Sequence, residues 1–202
     1  MNTATTNASV DVRESILATG QRLMAGKGFS AVGLNEILTS AGVPKGSFYH
    51  YFGSKDAFGE AMLDSYFDDY LADLDATLGQ PGLTMAQRLV NYWTAWRETQ
   101  SFCDCQGKCL AVKLAAEVAD LSEAMRLALK RGTAGIVDRL ARAIEAGAAE
   151  GSLTIDAAAG EVARSLYQLW LGASVMVKIE RDTAPFETAM ATTRRILDLP
   201  PE

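Results

Sequence analysis

The sequence predicts an all-α protein, with an N-terminal three-helix module followed by a larger helical bundle. Apolar residues recur at spacings of three and four along nearly the whole chain, as they do on one face of a helix. Breaks rich in glycine, proline and serine separate these runs, and no segment alternates apolar and polar residues as a half-buried strand does.

From Val12, the positions Ile16, Gly20, Leu23 and Met24 share a helical face, and Gly26 and Gly28 stop the run. A shorter helix covers 33–41 and ends at Gly42; Pro44 separates it from a third segment, Gly46 to Phe52. Gly53-Ser-Lys-Asp breaks the chain and offers Ser54 as an N-cap for a long helix, Ala57–Leu78, with a stripe of Phe58, Met62, Phe67, Leu71, Leu74 and Leu78. Gly79-Gln-Pro-Gly82 is a loop. Thr84 caps the next helix, which runs through Leu89, Tyr92, Trp93 and Trp96. After a cysteine-bearing break at 103–109, Leu110–Val118 is helical. Asp120 and Glu123 then read as a capping-box-like start for a helix reaching about Ala149, with Met125, Leu129, Gly132, Ile136, Leu140 and Ile144 inward. Gly151–Asp156 interrupts, Ala157–Glu180 resumes, and Pro185 opens a last helix that ends before Pro200. About nine helices result, divided into residues 1–56 and 57–202.

With 49% hydrophobic residues, 22% charged residues and five prolines in 202, the chain has ample material for a core. The uncharged run Ser165–Val177 is too short to cross about 30 Å of hydrocarbon as a helix, so no membrane is expected. The N-terminus lacks the basic cluster and apolar stretch of a secretory signal, and a cytoplasmic protein is expected. Net charge is −6, yet residues 1–58 hold five basic and four acidic side chains. That balance is far from a basic nucleic-acid signature, so any case for DNA rests on pattern.

Residues 34–52, LNEILTSAGVPKGSFYHYF, meet the mechanical demands of a helix-turn-helix. Ile37, Ala41, Val43 and Phe48 can lock two helices at a steep angle, and Gly42 supplies a turn where positive φ is cheap only for glycine. Lys45, Gly46 and Ser47 open the second helix, the part that enters the major groove in such motifs. Tyr49, His50, Tyr51 and Lys55 bring hydroxyl, imidazole and ammonium groups within reach of a flanking phosphate strand. A short helix, a glycine turn and a second helix also occur without any nucleic-acid role, so the pattern alone leaves both readings open.

The longer run GKGFSAVGLNEILTSAGVPKGSFYHYFGSKDAF resembles the DNA-binding module of TetR-family transcriptional repressors. Its specific part is Gly-Val-x-Lys-Gly-Ser-Phe-Tyr-x-Tyr-Phe-x-Ser-Lys. The resemblance implies a homodimer that grips a palindromic double-stranded DNA operator and carries a C-terminal sensor domain whose effector loosens that grip. It assigns Lys45 and Ser47 to groove-facing sites and Tyr49, Tyr51 and Lys55 to phosphate contacts; His50 stands beside DNA or serves as a solvated cap. Val32-Gly33 replaces the usual hydroxyl-bearing cap and Leu38 a usual small residue, departures that bear on the start and packing of the second helix.

All three cysteines fall in Cys103-Asp-Cys105-Gln-Gly-Lys-Cys109. In a cytoplasmic chain the contenders are a reactive thiol, a soft-metal site, or small residues in a loop. Cys109 opens a predicted helix beside Lys108 and one turn before Lys113, and both surroundings favour thiolate. Cys103 and Cys105 can resolve an oxidised Cys109. The stretches GKCLAVKLAAEVADLSEAMR and LWLGASVMVKIER resemble the branch containing the repressor of N-ethylmaleimide reductase, which implies sensing of electrophiles or oxidants. Cys109 matches that branch's cysteine. Lys178, closing an apolar run, is either a neighbour of the sensor or a snorkelling lysine. A metal would draw on Cys103, Cys105, Cys109 and Asp104, but the spacing matches no closed zinc motif, and neither a metal nor a cofactor is expected. An apolar effector held among Tyr92, Trp93, Trp96, Phe102 and Trp170 is a third option, set against plain core packing.

No nucleophile elbow, phosphate loop or dinucleotide fingerprint is present, and no enzyme is expected. Glu117, Asp120 and Glu123 read as caps and a solvated face. A helical interaction protein without DNA would explain the bundle but make residues 34–52 a coincidence. Leu166, Leu169, Trp170, Val175 and Met176 offer more apolar surface than one helix face needs, so helices 157–180 and 184–198 are expected to form the dimer contact.

Overall fold

A computed structural model describes residues 3–100 and 110–200, of which the side chains from residue 12 onward within the first helix. Among the described residues there are nine helices and no strand: α1 Thr3–Lys27, α2 Leu34–Ala41, α3 Lys45–Tyr51, α4 Lys55–Leu78, α5 Met85–Gln100, α6 Leu110–Leu121, α7 Glu123–Ala149, α8 Ala159–Glu180 and α9 Ala184–Ile196. Helix α1 begins nine residues before the apolar periodicity does, because a polar helical end carries no stripe to read. No helix among the described residues is long and apolar enough to cross a membrane.

The caps follow from local chemistry. Ser54 Oγ accepts the Ala57 N–H at 3.0 Å and starts α4. Thr84 and Gln87 form a reciprocal capping box on α5: Thr84 N–H donates to Gln87 Oε1 at 2.9 Å, and Gln87 N–H to Thr84 Oγ1 at 3.3 Å. At α7 the expectation is corrected. Ser122 Oγ, not Asp120, accepts the Met125 N–H, while Glu123 lies inside the helix and pairs with Arg126 at 2.6 Å. Only Ser122 immediately precedes the first helical residue, and a side chain two residues earlier lacks the short loop back to the third turn amide.

The chain forms two compact units, Met1–Asp68 with Lys108–Gly132, and Asp69–Gly107 with Thr133–Glu202. The first thus takes in α6 and the start of α7 as well as α1–α3 and the first half of α4. Its core holds Ile16, Met24, Ile37, Phe48, Phe58 and Met62, each fully buried. Gly20 explains one close approach: a Cβ there would fall 2.3 Å from Phe58 Cζ, so glycine lets the aromatic ring lie on α1.

The second unit is centred on aromatic rings. Trp93 stacks on Trp170 with centroids 4.9 Å apart, and Trp170 stacks on Phe186 at 5.8 Å. Two indoles satisfy their N–H groups internally, Trp96 on Ser174 Oγ and Trp170 on Thr193 Oγ1, both at 2.9 Å. Leu166 and Trp170 were expected in a contact between protomers, but they are 1% and 0% exposed within this single chain. Of the expected set Val175 and Met176 do face outward, with Ile179 beside them, at 44%, 41% and 68% exposure. A helical stripe read from sequence does not say which of two apolar faces meets its own domain; the position of α9 decides it.

Candidate nucleic-acid interface

Helices α2 and α3 meet across a three-residue turn, Gly42 to Pro44, built on Gly42. Its φ of 67° lies in the left-handed region, where a Cβ is costly, and the Val43 N–H reaches back to Leu38 C=O at 3.1 Å. Gly33 precedes α2 without any side-chain cap hydrogen bond, matching the missing hydroxyl in the sequence, and α2 forms nonetheless. Ile37 and Leu38, 0% and 6% exposed, anchor it in the core. Pro44 precedes α3 with φ −71° and ψ 153°, the extended geometry a proline ring favours before a helix start.

Helix α3 is fixed by its aromatic side. Phe48 is fully buried, and its ring lies 5.2 Å from that of Phe52 and 5.4 Å from that of Phe58. With Phe48 turned in, Lys45, Gly46, Tyr49 and His50 are exposed, Ser47 and Tyr51 half-buried. Lys45 Nζ stands 6.0 Å from the centre of the Tyr49 ring, and the His50 and Tyr51 rings meet edge-on at 4.8 Å. A Cβ built on Gly46 would meet nothing within 4 Å. Six of the seven predicted DNA-binding residues therefore lie on this one short helix, and four of them share its open face.

Lys55, the seventh, opens α4 and is partly committed. Its ammonium donates to Phe29 C=O at 2.8 Å and lies 4.4 Å over the Phe29 ring, which uses one of its three N–H bonds. Burial lowers its pKa, opposed by the charges of Glu117 and Asp56.

Glu117 is the residue that the sequence reading misassigned to a solvated face. From α6 its Oε1 accepts the Ser30 N–H at 2.7 Å, and its Oε2 the Phe29 N–H at 3.1 Å. Hydrogen bonding from Ser30, side chain first and then backbone, holds its carboxyl below the ordinary glutamate value, with the Phe29 N–H and Lys55 adding to this and desolvation opposing it. The partners are 87 and 88 residues away in sequence. The only local signal is a single carboxylate within the apolar run LAAEVA.

The sensor candidates Cys103, Cys105 and Cys109 lie outside the described residues, as does Phe102. Lys178 is exposed near the end of α8. Tyr92, Trp93, Trp96 and Trp170 do come together, all at 6% exposure or less, with Tyr92 Oη 2.8 Å from Tyr70 Oη. Sequence reasoning missed Tyr167 and Phe186 in that cluster. No group of residues able to hold a metal ion occurs among the described residues.

Comparison with known proteins identifies two family segments. Residues 16–62 match the family model of bacterial regulatory proteins of the tetR family, and residues 85–193 that of the tetracyclin repressor-like C-terminal domain. The HTH-type transcriptional repressor NemR of Escherichia coli (strain K12) is 42% identical over 192 residues, which is 94% of this chain and 96% of that protein. The HTH-type transcriptional repressor DhaR of Mycobacterium sp. (strain GP1) is 34% identical over 180 residues, 89% of each chain. The crystal structure of reduced E. coli NemR superposes with a TM-score of 0.89 at 42% identity, covering 95% of this chain and all of that one.

Proposed function

The chain belongs to the tetR family of bacterial regulatory proteins, and from that premise we propose that it is a repressor released from its operator when Cys109 reacts with an electrophile or oxidant. DNA binding and repression come with the family; this is a regulator, not an enzyme. The thiol-triggered release is the inference.

The observation that carries it is the place of the cysteines in the chain. Cys109 immediately precedes Leu110, the first residue of α6, and α6 belongs to the same compact unit as the helix-turn-helix. A covalent adduct at Cys109 sits in sequence directly before the helix whose Glu117 bonds the Phe29 and Ser30 amides. Thiolate is the attacking form, and a helix start with Lys108 and Lys113 nearby favours it. Conjugate addition forms an S–C bond as the C=C π bond of an activated alkene breaks, and the adjacent carbon takes up the proton that the thiol gave up. Oxidation by a peroxide-class oxidant gives the sulfenic acid, which Cys103 or Cys105 can condense with to a disulfide and water. The likeness to NemR, over 94% of this chain and 96% of that one, supports the same reading.

On the operator side, Lys45, Gly46 and Ser47 face the major groove, with Tyr49, His50, Tyr51 and Lys55 along the phosphates. Two protomers read the halves of a palindrome, joined through the α8 face of Val175, Met176 and Ile179. The apolar-effector reading would require Trp93 and Trp170 to part from their stacked contact.

Gel shifts on a duplex selected from genomic DNA, with and without N-ethylmaleimide, test the proposal. Wild type loses affinity on treatment, whereas Cys109→Ser binds the duplex and ignores the reagent. Full release of Cys109→Ser by the reagent would overturn the assignment.

A further inference from the structure

The geometry points to Glu117 as the positioning residue through which α6 holds the helix-turn-helix in its DNA-reading arrangement, by gripping the turn that leads into α2. This rests on residues 34–52 being the DNA-reading segment.

The turn is built to be gripped. Gly28 closes α1 with φ 91°, a conformation natural to glycine, and this turns the N–H groups of Phe29 and Ser30 off the helix axis. Both donate to the one carboxylate, at 3.1 and 2.7 Å, and bonds to an ionised acceptor are about twice as strong as neutral ones. The carboxylate lies so close that a Cβ on Gly28 would sit 2.9 Å from Oε2. The opposite side of the turn is held from α4. Lys55 binds the Phe29 carbonyl, and the buried Phe29 ring presses on Gly59, where a Cβ would fall 2.8 Å from Phe29 Cε2.

Helix α2 begins at Leu34, four residues beyond Ser30, and α3 follows it across the Gly42 turn. The position of the gripped turn therefore sets the position of α2 and, through it, α3. Helix α6 contributes none of the DNA-reading side chains, so its hold on the turn is an indirect one. It is also short-ranged: the N–H bonds weaken steeply once the carboxylate shifts by about 1 Å. Any event that displaces α6, including a reaction at its head, would free the turn first.

Glu117→Gln tests this while keeping the size of the side chain, since the amide N–H₂ cannot accept and faces one of the two backbone donors. Glu117→Ala removes both bonds. Three quantities are measured on the full-length protein: Kd for the genomically selected duplex, Tm, and hydrogen exchange of the Phe29 and Ser30 amides. For Glu117→Gln the expected result is a Kd raised about tenfold, as for loss of a charge-assisted hydrogen bond. Faster exchange confined to the two amides accompanies it, with Tm within a few degrees of wild type. Should Glu117→Ala fail to fold, Glu117→Gln decides alone. Wild-type Kd in the Gln variant, unchanged exchange at both amides, or a Kd that rises only in step with a large fall in Tm would each overturn the proposal. The reagent-treated wild type is a separate arm: if N-ethylmaleimide leaves its Kd unchanged, thiol release fails, while the untreated Gln variant still decides the role of Glu117.

Discussion

Tyr49→Phe isolates one hydroxyl on the reading helix. Tyr49 is 52% exposed, and its ring meets Phe48 edge-on at 5.5 Å, a contact that phenylalanine keeps in full. Folding should therefore be untouched, with Tm within about 1 °C of wild type, as for a surface change that removes no packing. The hydroxyl itself is proposed to donate to a phosphate. One such bond has a net worth of about 0.5–1.5 kcal/mol, and a dimer on a palindrome loses two, so Kd should rise about 5- to 150-fold. Because no charge is removed, the slope of log Kd against log salt should stay that of wild type. Fluorescence anisotropy with the selected duplex at several salt concentrations reads both quantities. A Kd within twofold of wild type would refute the placement of Tyr49 on the phosphate strand, and a shallower salt slope would refute the reasoning about charge.

Lys45→Ala gives the contrasting signature of a groove-facing residue: discrimination between the selected duplex and duplexes substituted at the base pair it reads should fall by about 1–3 kcal/mol, measured by the same titration. Gly132→Ala should destabilise the protein, since its Cβ would lie 2.1, 2.2 and 2.4 Å from three atoms of the Phe67 ring. The overpacking cost of about 1–3 kcal/mol then exceeds the gain of about 1 kcal/mol in helix propensity, and thermal melting should show a lower Tm. Glu150 accepts the Ser152 hydroxyl and the Met85 N–H, which lower its pKa in that order. A depressed carboxylate stabilises the fold above its unfolded pKa and loses that contribution as pH falls through the folded one. Glu150→Gln should therefore melt below wild type at pH 7, and the gap should close on acidification below the ordinary glutamate value of 4.5.

The sequence by itself determined the helices and the helix-turn-helix geometry, because both are written in local chemistry. Apolar spacing of three and four specifies a helix wherever it occurs, Gly42 and Pro44 fix the turn between α2 and α3, and Ser54 and Thr84 carry their caps within three residues. Phe48 was legible as one of the apolar residues locking α2 and α3, but that Lys45, Gly46, Tyr49 and His50 stand open while Ser47 and Tyr51 are half-buried depends on the packing of that ring. What failed was nonlocal. The burial of Leu166 and Trp170 depends on where α9 lies, and no periodicity in α8 encodes that. Ser122 displaced Asp120 because one residue of helix boundary decides which side chain can reach an amide. Glu117 is the clearest case. Its partners are backbone N–H groups 87 and 88 residues away, and backbone donors have no signature in a sequence. Only the packing of α6 against the α1–α2 turn turns a carboxylate in an apolar run into a hold on the helix-turn-helix.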